Sequence, residues 1–214
     1  AHYITVTGDR AILKEEVTFI EGPKLKAGEH DAFYTPDVSK TRATLYEHCV
    51  RGLDLAIKRT GASGLPLILG GDWNDGMDRV GRKGKGESVW LGWFLVKTLG
   101  DFRQVAKAED DKTRAEAWRK HARTLKKALE SAGWDGAWYR RGSYDDGTPL
   151  GSHLSDECRI DAIAQAWSVL SGEGGPERAL TAIRSGTTML VDDELQIIKL
   201  FTPPFDKTEH DPGY

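Results

Sequence analysis

The sequence predicts a mainly all-α protein, a run of helical hairpins with long loops and a few short strands between them. Three observations carry that reading. Apolar residues recur at helical spacing in several separate segments. Those segments alternate between one that is apolar on nearly every face and others with a single apolar stripe, as inner and outer helices do. Glycine and proline clusters stand between them as breaks. The alternation fits part of an α/α toroid made of hairpins, with its loops gathered at one end as the working face. No fixed-period repeat marks the chain, and an irregular helical bundle would have the same composition.

Composition narrows the class. The 214 residues are 39% hydrophobic and 29% charged, the balance of a soluble globular protein. A net charge of -3 makes no electrostatic case for nucleic acid or an anionic membrane as partner. No apolar run approaches the roughly 20 residues needed to cross a bilayer. No basic-then-apolar signal opens the chain, so a cytoplasmic soluble segment is expected. Cys49 and Cys158 both fall within helical patterns and are expected as buried thiols, rather than as a disulfide or metal site. The seven tryptophans and six tyrosines exceed what a core of this size requires, although Trp118 and Trp167 are assigned to it. Ala1 opens without a methionine and Tyr214 closes in an Asp-Pro-Gly-Tyr turn, so a fragment is expected.

Taken in order, residues 1–40 hold the short apolar pieces Tyr3 to Val6 and Val17 to Ile20. Gly22-Pro23, Gly28 and Pro36 separate them, which predicts a long irregular connection with at most short strands. Within it Glu29, His30 and Asp31 form a polar cluster. Leu45, Cys49, Leu53, Ala56 and Ile57 predict a helix from about Thr44 to Thr60, stopped by Gly61. Leu65 to Leu69 then leads into a glycine-rich stretch. Ser88 to Leu99 (SVWLGWFLVKTL) is apolar all round and predicts an inner helix. Thr113 to Ala132 carries the stripe Trp118, Ala122, Leu125 and Leu129, and Thr113 with Glu116 matches a capping box. Residues 134–155 contain a strand-like piece, Ala137 to Arg140, among turn signals. Helices follow from about Ile160 to Leu170 and from Pro176 to about Leu190, and Ile197 to Phe201 reads as a strand.

The chemistry concentrates between Gly70 and Glu87 (GGDWNDGMDRVGRKGKGE). That stretch places six glycines, three aspartates, a tryptophan and four basic residues between two helical segments. Such glycine density excludes a regular element and marks sharp turns or close approaches. Trp73 among Asp72, Asn74 and Asp75 sets a flat ring beside acids and an amide, a plausible grip on a sugar. Asp72 and Asp75 are the general acid candidates, with Asp78 third. On a locally helical turn, carboxylates three apart share a face and raise one another's pKa. A solvated turn rich in turn-forming aspartates has the same composition. Arg79, Arg82, Lys83 and Lys85 among glycines suggest a phosphate cradle, but the spacing is not that of the nucleotide-binding loop. Asp161 and Gln165 lie four apart on one expected helical face.

GGDWNDGM followed by GKGESVWLGWF resembles the catalytic segment of glycoside hydrolase family ninety-four. WDGAWYRRGSYDDGTPLGS, DECRIDAIAQAWSVLSG and LFTPPFDKTEHDPGY resemble later blocks of the same family. The family comprises cellobiose and chitobiose phosphorylases and the phosphorylase domain of cyclic β-1,2-glucan synthases, and the likeness to the last of these is the strongest. The resemblance covers residues 1–214 and implies part of a six-hairpin α/α toroid, cut at both ends. It implies inverting phosphorolysis of a β-glucan oligosaccharide to glucose 1-phosphate, with inorganic phosphate as co-substrate and no other cofactor or metal. In the family motif the general acid is the aspartate after Trp-Asn, which is Asp75 rather than Asp72; the matching Trp73 would hold the glycone, and Gln165 matches a site glutamine. Asp72, Arg79 and Asp161 are the further substrate-binding candidates. Chemistry agrees with a single acid. An inverting hydrolase needs a second carboxylate roughly 6.5–9.5 Å away to activate water, whereas phosphate arrives already anionic.

The family's phosphate-binding histidine lies in a block beyond the Pro-Gly-Tyr. The resemblance therefore implies a segment incomplete on its own, within a parent polypeptide attached to the inner membrane. A part-toroid would leave apolar helix faces uncovered, so a homo-oligomer is expected. Two other readings fit the same aromatics: a non-catalytic glucan-binding or assembly module, and an inverting glucan hydrolase.

Overall fold

A computed structural model describes residues 1–26 and 32–214, in two compact units, Ala1–Lys58 and Arg59–Tyr214. Gly28 and the expected polar cluster of Glu29, His30 and Asp31 lie outside the described residues. The fold is mainly helical, as the periodicity predicts.

The first unit is more ordered than its turn signals suggested. Helix α1 (His2–Thr7) forms at the short apolar piece Tyr3 to Val6, within a region expected to hold at most short strands. Its β-branched threonines satisfy themselves on the preceding turn, Thr5 and Thr7 donating to the carbonyls of Ala1 and Tyr3. Strands β1 (Glu16–Glu21) and β2 (Asp37–Thr44) pair antiparallel, so the region holds a hairpin rather than an irregular connection. Helix α2 (Leu45–Lys58) follows close to the expected bounds. It grips β1 through His48, whose ring stacks on Phe19 at 3.8 Å between centroids and bonds the Val17 carbonyl at 3.1 Å.

The second unit is built on two helical hairpins. Helix α3 (Val89–Ala108) pairs with α4 (Lys112–Ala132), and α5 (Ala162–Leu170) with α6 (Pro176–Leu190). Helix α3 packs on both α4 and α5, which makes it the inner helix that its apolar faces predict. Only Phe94 breaks the pattern among its large apolar side chains, standing 41% exposed. At Gly92 a Cβ would come 2.8 Å from Leu129, so the missing side chain is what lets α3 and α4 approach. Helix α4 buries Ala115, Trp118, Leu125, Ala128 and Leu129 along one stripe.

Several boundaries differ from expectation, each for a local reason. The cap of α4 is Asp111, which accepts from the Arg114 amide, so the Thr113–Glu116 box does not form. Glu116 turns to Arg119 instead. Ala137 to Arg140 makes only an isolated antiparallel bridge, Tyr139 opposite Trp134, and the Gln165 side chain takes both main-chain groups of Tyr139. Strand β3 (Glu87–Ser88) joins β4 (Gly142–Ser143) and β5 (Pro149–Leu150) in a small sheet. The helix expected from Ile160 begins two residues later. Ile160–Asp161 is strand β6, and Cys158, buried just before it, is outside any helix. Both cysteines are free thiols. Residues 191–202 split into β7 (Val191–Asp192), β8 (Ile197–Ile198) and β9 (Phe201–Thr202), with β8 on β7 and β9 on β6. Among the described residues no helix is long and apolar enough to cross a membrane.

Candidate active site

The glycine-rich loop is neither regular nor loosely solvated. Its neck is closed by main-chain bonds, Ile68 N–H to the Gly86 carbonyl at 2.9 Å and Ser88 N–H to the Pro66 carbonyl at 2.9 Å. Two of its side chains, Met77 and Val80, are buried in a cluster with Ile68, Tyr144, Leu150 and Cys158, against which Phe201 and Phe205 pack. Burying a side chain of this kind stabilises by about 1.5–3 kcal/mol, enough to hold a loop that regular structure cannot. Gly86 must be glycine at the neck, since a Cβ there would meet the Val80 carbonyl oxygen at 2.7 Å.

Asp72, one of the substrate-binding candidates, is engaged inside the fold as an anchor. Its carboxylate accepts two bonds from Arg141, Nη1 to Oδ2 and Nη2 to Oδ1, both at 2.6 Å, and one from the Ser88 hydroxyl at 2.6 Å. Both side chains of the pair are fully buried. Burial alone would push the Asp72 carboxyl up, but the bonds and charge of Arg141 outweigh it and hold the group below the usual carboxylate range. A carboxyl so held cannot deliver a proton near neutrality. Nor do Asp72 and Asp75 share a helical face, because the one local 3-10 turn covers only Asp75–Met77.

Asp161 and Gln165 belong to the same buried assembly. Asp161 caps α5, its Oδ1 accepting from the Ile163 amide at 2.8 Å, while its Oδ2 lies 3.5 Å from Nε of Arg141. Burial raises its pKa in spite of the Arg141 charge. Gln165 is spent on the chain itself: it binds the Tyr139 amide at 2.8 Å and the Tyr139 and Asp161 carbonyls at 2.7 and 2.9 Å. Both side chains are engaged inside the fold rather than open to a ligand. Arg141, which the sequence reading passed over, joins the assembly. Its only signal was an arginine pair, Arg140-Arg141, directly after the aromatic pair Trp138-Tyr139.

Asp75 and Trp73 are left facing solvent. Asn74 caps the 3-10 turn, its Oδ1 accepting from the Gly76 amide at 3.1 Å, and its own amide bonds Asp72 Oδ1 at 3.2 Å. Asp75 opens that turn and is exposed, and Trp73 is 60% exposed. Beside them a cleft of about 560 Å³ is lined by Asn74, Gly76, Met77, Phe205, Pro212 and Tyr214. A free carboxyl group, when it carries its proton, can pass it to an oxygen, and a free indole beside it can stack on a sugar ring. Asp78, third of the row, closes the turn with one carboxylate oxygen buried.

The basic half of the loop holds an anion already. Asp145 accepts from the amides of Lys83, Lys85 and Gly86 at 2.7, 2.8 and 2.9 Å, so the nest that could cradle a phosphate is filled by the chain's own carboxylate. Arg79 pairs with Asp211, and its amide bonds the Pro212 carbonyl at 3.1 Å, tying the loop to the last residues. Glu157 fills a second nest, from Asp206, Lys207 and Thr208. A buried Asp135 holds His153, Ser152 and Arg140, a cluster that sequence spacing did not reveal. Among the described residues no three acidic, histidine or cysteine side chains are grouped to hold a metal.

Helical hairpins carrying a pegged loop, with an exposed acid and an exposed indole on it, define a mainly helical class of hairpin domain. The crystal structure of the GH78 family rhamnosidase of Bacillus sp. GL1 shares the fold, with a TM-score of 0.51 over 69% of this chain and 14% of that one, at 22% identity. Within the class the chain belongs to the glycosyl hydrolase 94 superfamily, whose catalytic domain matches residues 1–214. It is 61% identical over its whole length to the cyclic beta-(1,2)-glucan synthase NdvB of Rhizobium meliloti, of which it spans 8%. It is 32% identical to the cellobionic acid phosphorylase of Neurospora crassa over 99% of this chain and 24% of that protein. To the 3-O-beta-D-glucopyranosyl-beta-D-glucuronide phosphorylase of Paenibacillus borealis it is 36% identical, over 78% of this chain and 21% of that one. The chain thus spans no more than a quarter of each of these relatives.

Proposed function

We propose that the chain is the acid-bearing part of a β-1,2-glucan phosphorylase or synthase, and that Asp75 is its general acid. An oxygen of inorganic phosphate attacks the anomeric carbon from the face opposite the glycosidic bond. The bond to the leaving oxygen breaks, the Asp75 proton goes to that oxygen, and the sugar departs as glucose 1-phosphate with its anomeric configuration inverted. No second carboxylate is required, since phosphate needs no activation by a base. Trp73 stacks on the sugar that carries the reacting carbon.

The observation that carries this reading is the division of labour between two aspartates three apart. Asp72 is locked into Arg141 and fully buried, and Asp75 is exposed beside the exposed Trp73. Membership of the superfamily, and the 61% identity to a cyclic beta-(1,2)-glucan synthase, support the substrate class. Phosphate is met by groups other than the nest at Lys83 to Gly86, which Asp145 fills. The remaining phosphate contacts would come from elsewhere in the full-length protein.

The test is turnover of β-1,2-gluco-oligosaccharides by the natural full-length protein, with and without phosphate. Phosphate-dependent glucose 1-phosphate that disappears in Asp75→Asn is the expected result. Phosphate-independent glucose would mean a hydrolase, and binding without turnover a carbohydrate-binding module.

A further inference from the structure

The Asp72–Arg141 pair is more than packing requires. Two charges taken out of water gain about as much from each other as they lose in hydration, and apolar residues of the same volume are often as stable. What the pair supplies instead is a fixed direction. A guanidinium fork on a carboxylate admits one planar geometry, which a lysine would not impose.

That geometry is passed to the acid. Arg141 is itself fixed, its amide on the Leu150 carbonyl at 2.9 Å and its carbonyl on the Val89 amide at 3.1 Å. Two residues earlier, Gln165 grips both main-chain groups of Tyr139. From this frame the fork holds Asp72, Asp72 Oδ1 holds the Asn74 amide, and Asn74 Oδ1 holds the Gly76 amide across Asp75. Every link is a hydrogen bond onto the stretch that carries Asp75. We propose that Arg141 is the positioning residue for the acid: through Asp72 and Asn74 it sets where the Asp75 carboxyl meets the glycosidic oxygen.

This inference rests on Asp75 being the acid, so the test separates the two. Two substrates are compared in the natural full-length protein with phosphate present: a β-1,2-gluco-oligosaccharide, whose leaving alcohol needs a proton, and 2,4-dinitrophenyl β-glucoside, whose phenol leaves without one. Arg141→Lys keeps the charge and loses the fork. Its kcat on the glucan is expected to fall ~10²-fold per folded molecule, the scale of an ångström of misplacement, with KM little changed. On the dinitrophenyl glucoside it is expected to fall no more than about 3-fold, since little general acid assistance remains to be lost. Ser88→Ala removes one bond from Asp72 and the N-terminal cap of α3 but keeps the ion pair, so it should melt somewhat earlier, still fold, and show the same split at smaller size per folded molecule. Equal losses on the two substrates, a change in KM alone, or no loss in either variant would overturn the inference. Asp75→Asn is run beside them: if it too loses equally on both substrates, the acid assignment itself is wrong, whereas a split in Asp75→Asn without one in Arg141→Lys rejects only the positioning role.

Discussion

The two halves of the glycine-rich loop are pinned in opposite ways. In the acidic half the loop's own carboxylate, Asp72, reaches inward to a buried arginine 69 residues away. In the basic half a foreign carboxylate, Asp145, reaches into the loop and takes the amides of Lys83, Lys85 and Gly86. Each half therefore consumes the very group its composition advertises: an acid in one, an anion nest in the other. The side chains free to meet a substrate are those no partner has claimed, Asp75 and Trp73 above all. Charge type says what a residue can do, and its partner says whether it is available.

The largest difference between the two halves is expected in turnover. Asp75→Asn should lower phosphate-dependent turnover by about 10²–10⁴-fold, the usual contribution of a general acid, and leave the melting curve in place because the side chain is exposed. Arg141→Ala should do the reverse on stability. It leaves the Asp72 charge buried and unpaired, which costs about 3–5 kcal/mol, visible as a lower denaturation midpoint in urea. Acid should find the same bond. The folded-state pKa of Asp72 lies below its unfolded value, so the folded state binds fewer protons, and the stabilisation is full above the ordinary carboxylate range and is lost as pH falls through the depressed value. Asp161 has a raised pKa, so its contribution runs the other way and is lost as pH rises. Urea midpoints measured down the acid limb should therefore flatten in Asp72→Asn relative to the wild type.

Smaller effects sharpen the contrast. Trp73→Ala should raise KM for the glucan about 2–10-fold, the worth of one aromatic stacking contact, with kcat and melting little changed. Asp145→Asn should weaken the basic half by about 1 kcal/mol and speed hydrogen exchange at the Lys83, Lys85 and Gly86 amides, while turnover by Asp75 stays within about 2-fold.

Local signals made the helices legible. The all-round apolar run at Ser88 to Leu99 and the stripe from Trp118 to Leu129 are both realised, because each helix reports its own surroundings through periodicity. For the candidate site, the loop was legible in the sequence, while the partners of its side chains were not. Trp-Asn-Asp pointed to Asp75, but nothing near Asp72 in sequence reveals Arg141. The same distance hid the fate of Gln165, matched as a site glutamine and found binding the Tyr139 main chain. Long-range pairing also explains why the strand expected at Ala137 to Arg140 does not form: a side chain on α5 takes both main-chain groups of Tyr139. The β1–β2 hairpin was legible only in part: Val17 to Ile20 marked β1, but β2 carries no apolar run of its own, and only the fold supplies its pairing.

The most direct measurement is glucose 1-phosphate released from a β-1,2-gluco-oligosaccharide by Asp75→Asn and Asp72→Asn, each taken per folded molecule beside its melting curve. The account predicts that Asp75→Asn melts like the wild type and loses turnover by about 10²–10⁴-fold, and that Asp72→Asn melts earlier. Turnover by Asp75→Asn within a few-fold of wild type, at an unchanged melting temperature, would contradict it.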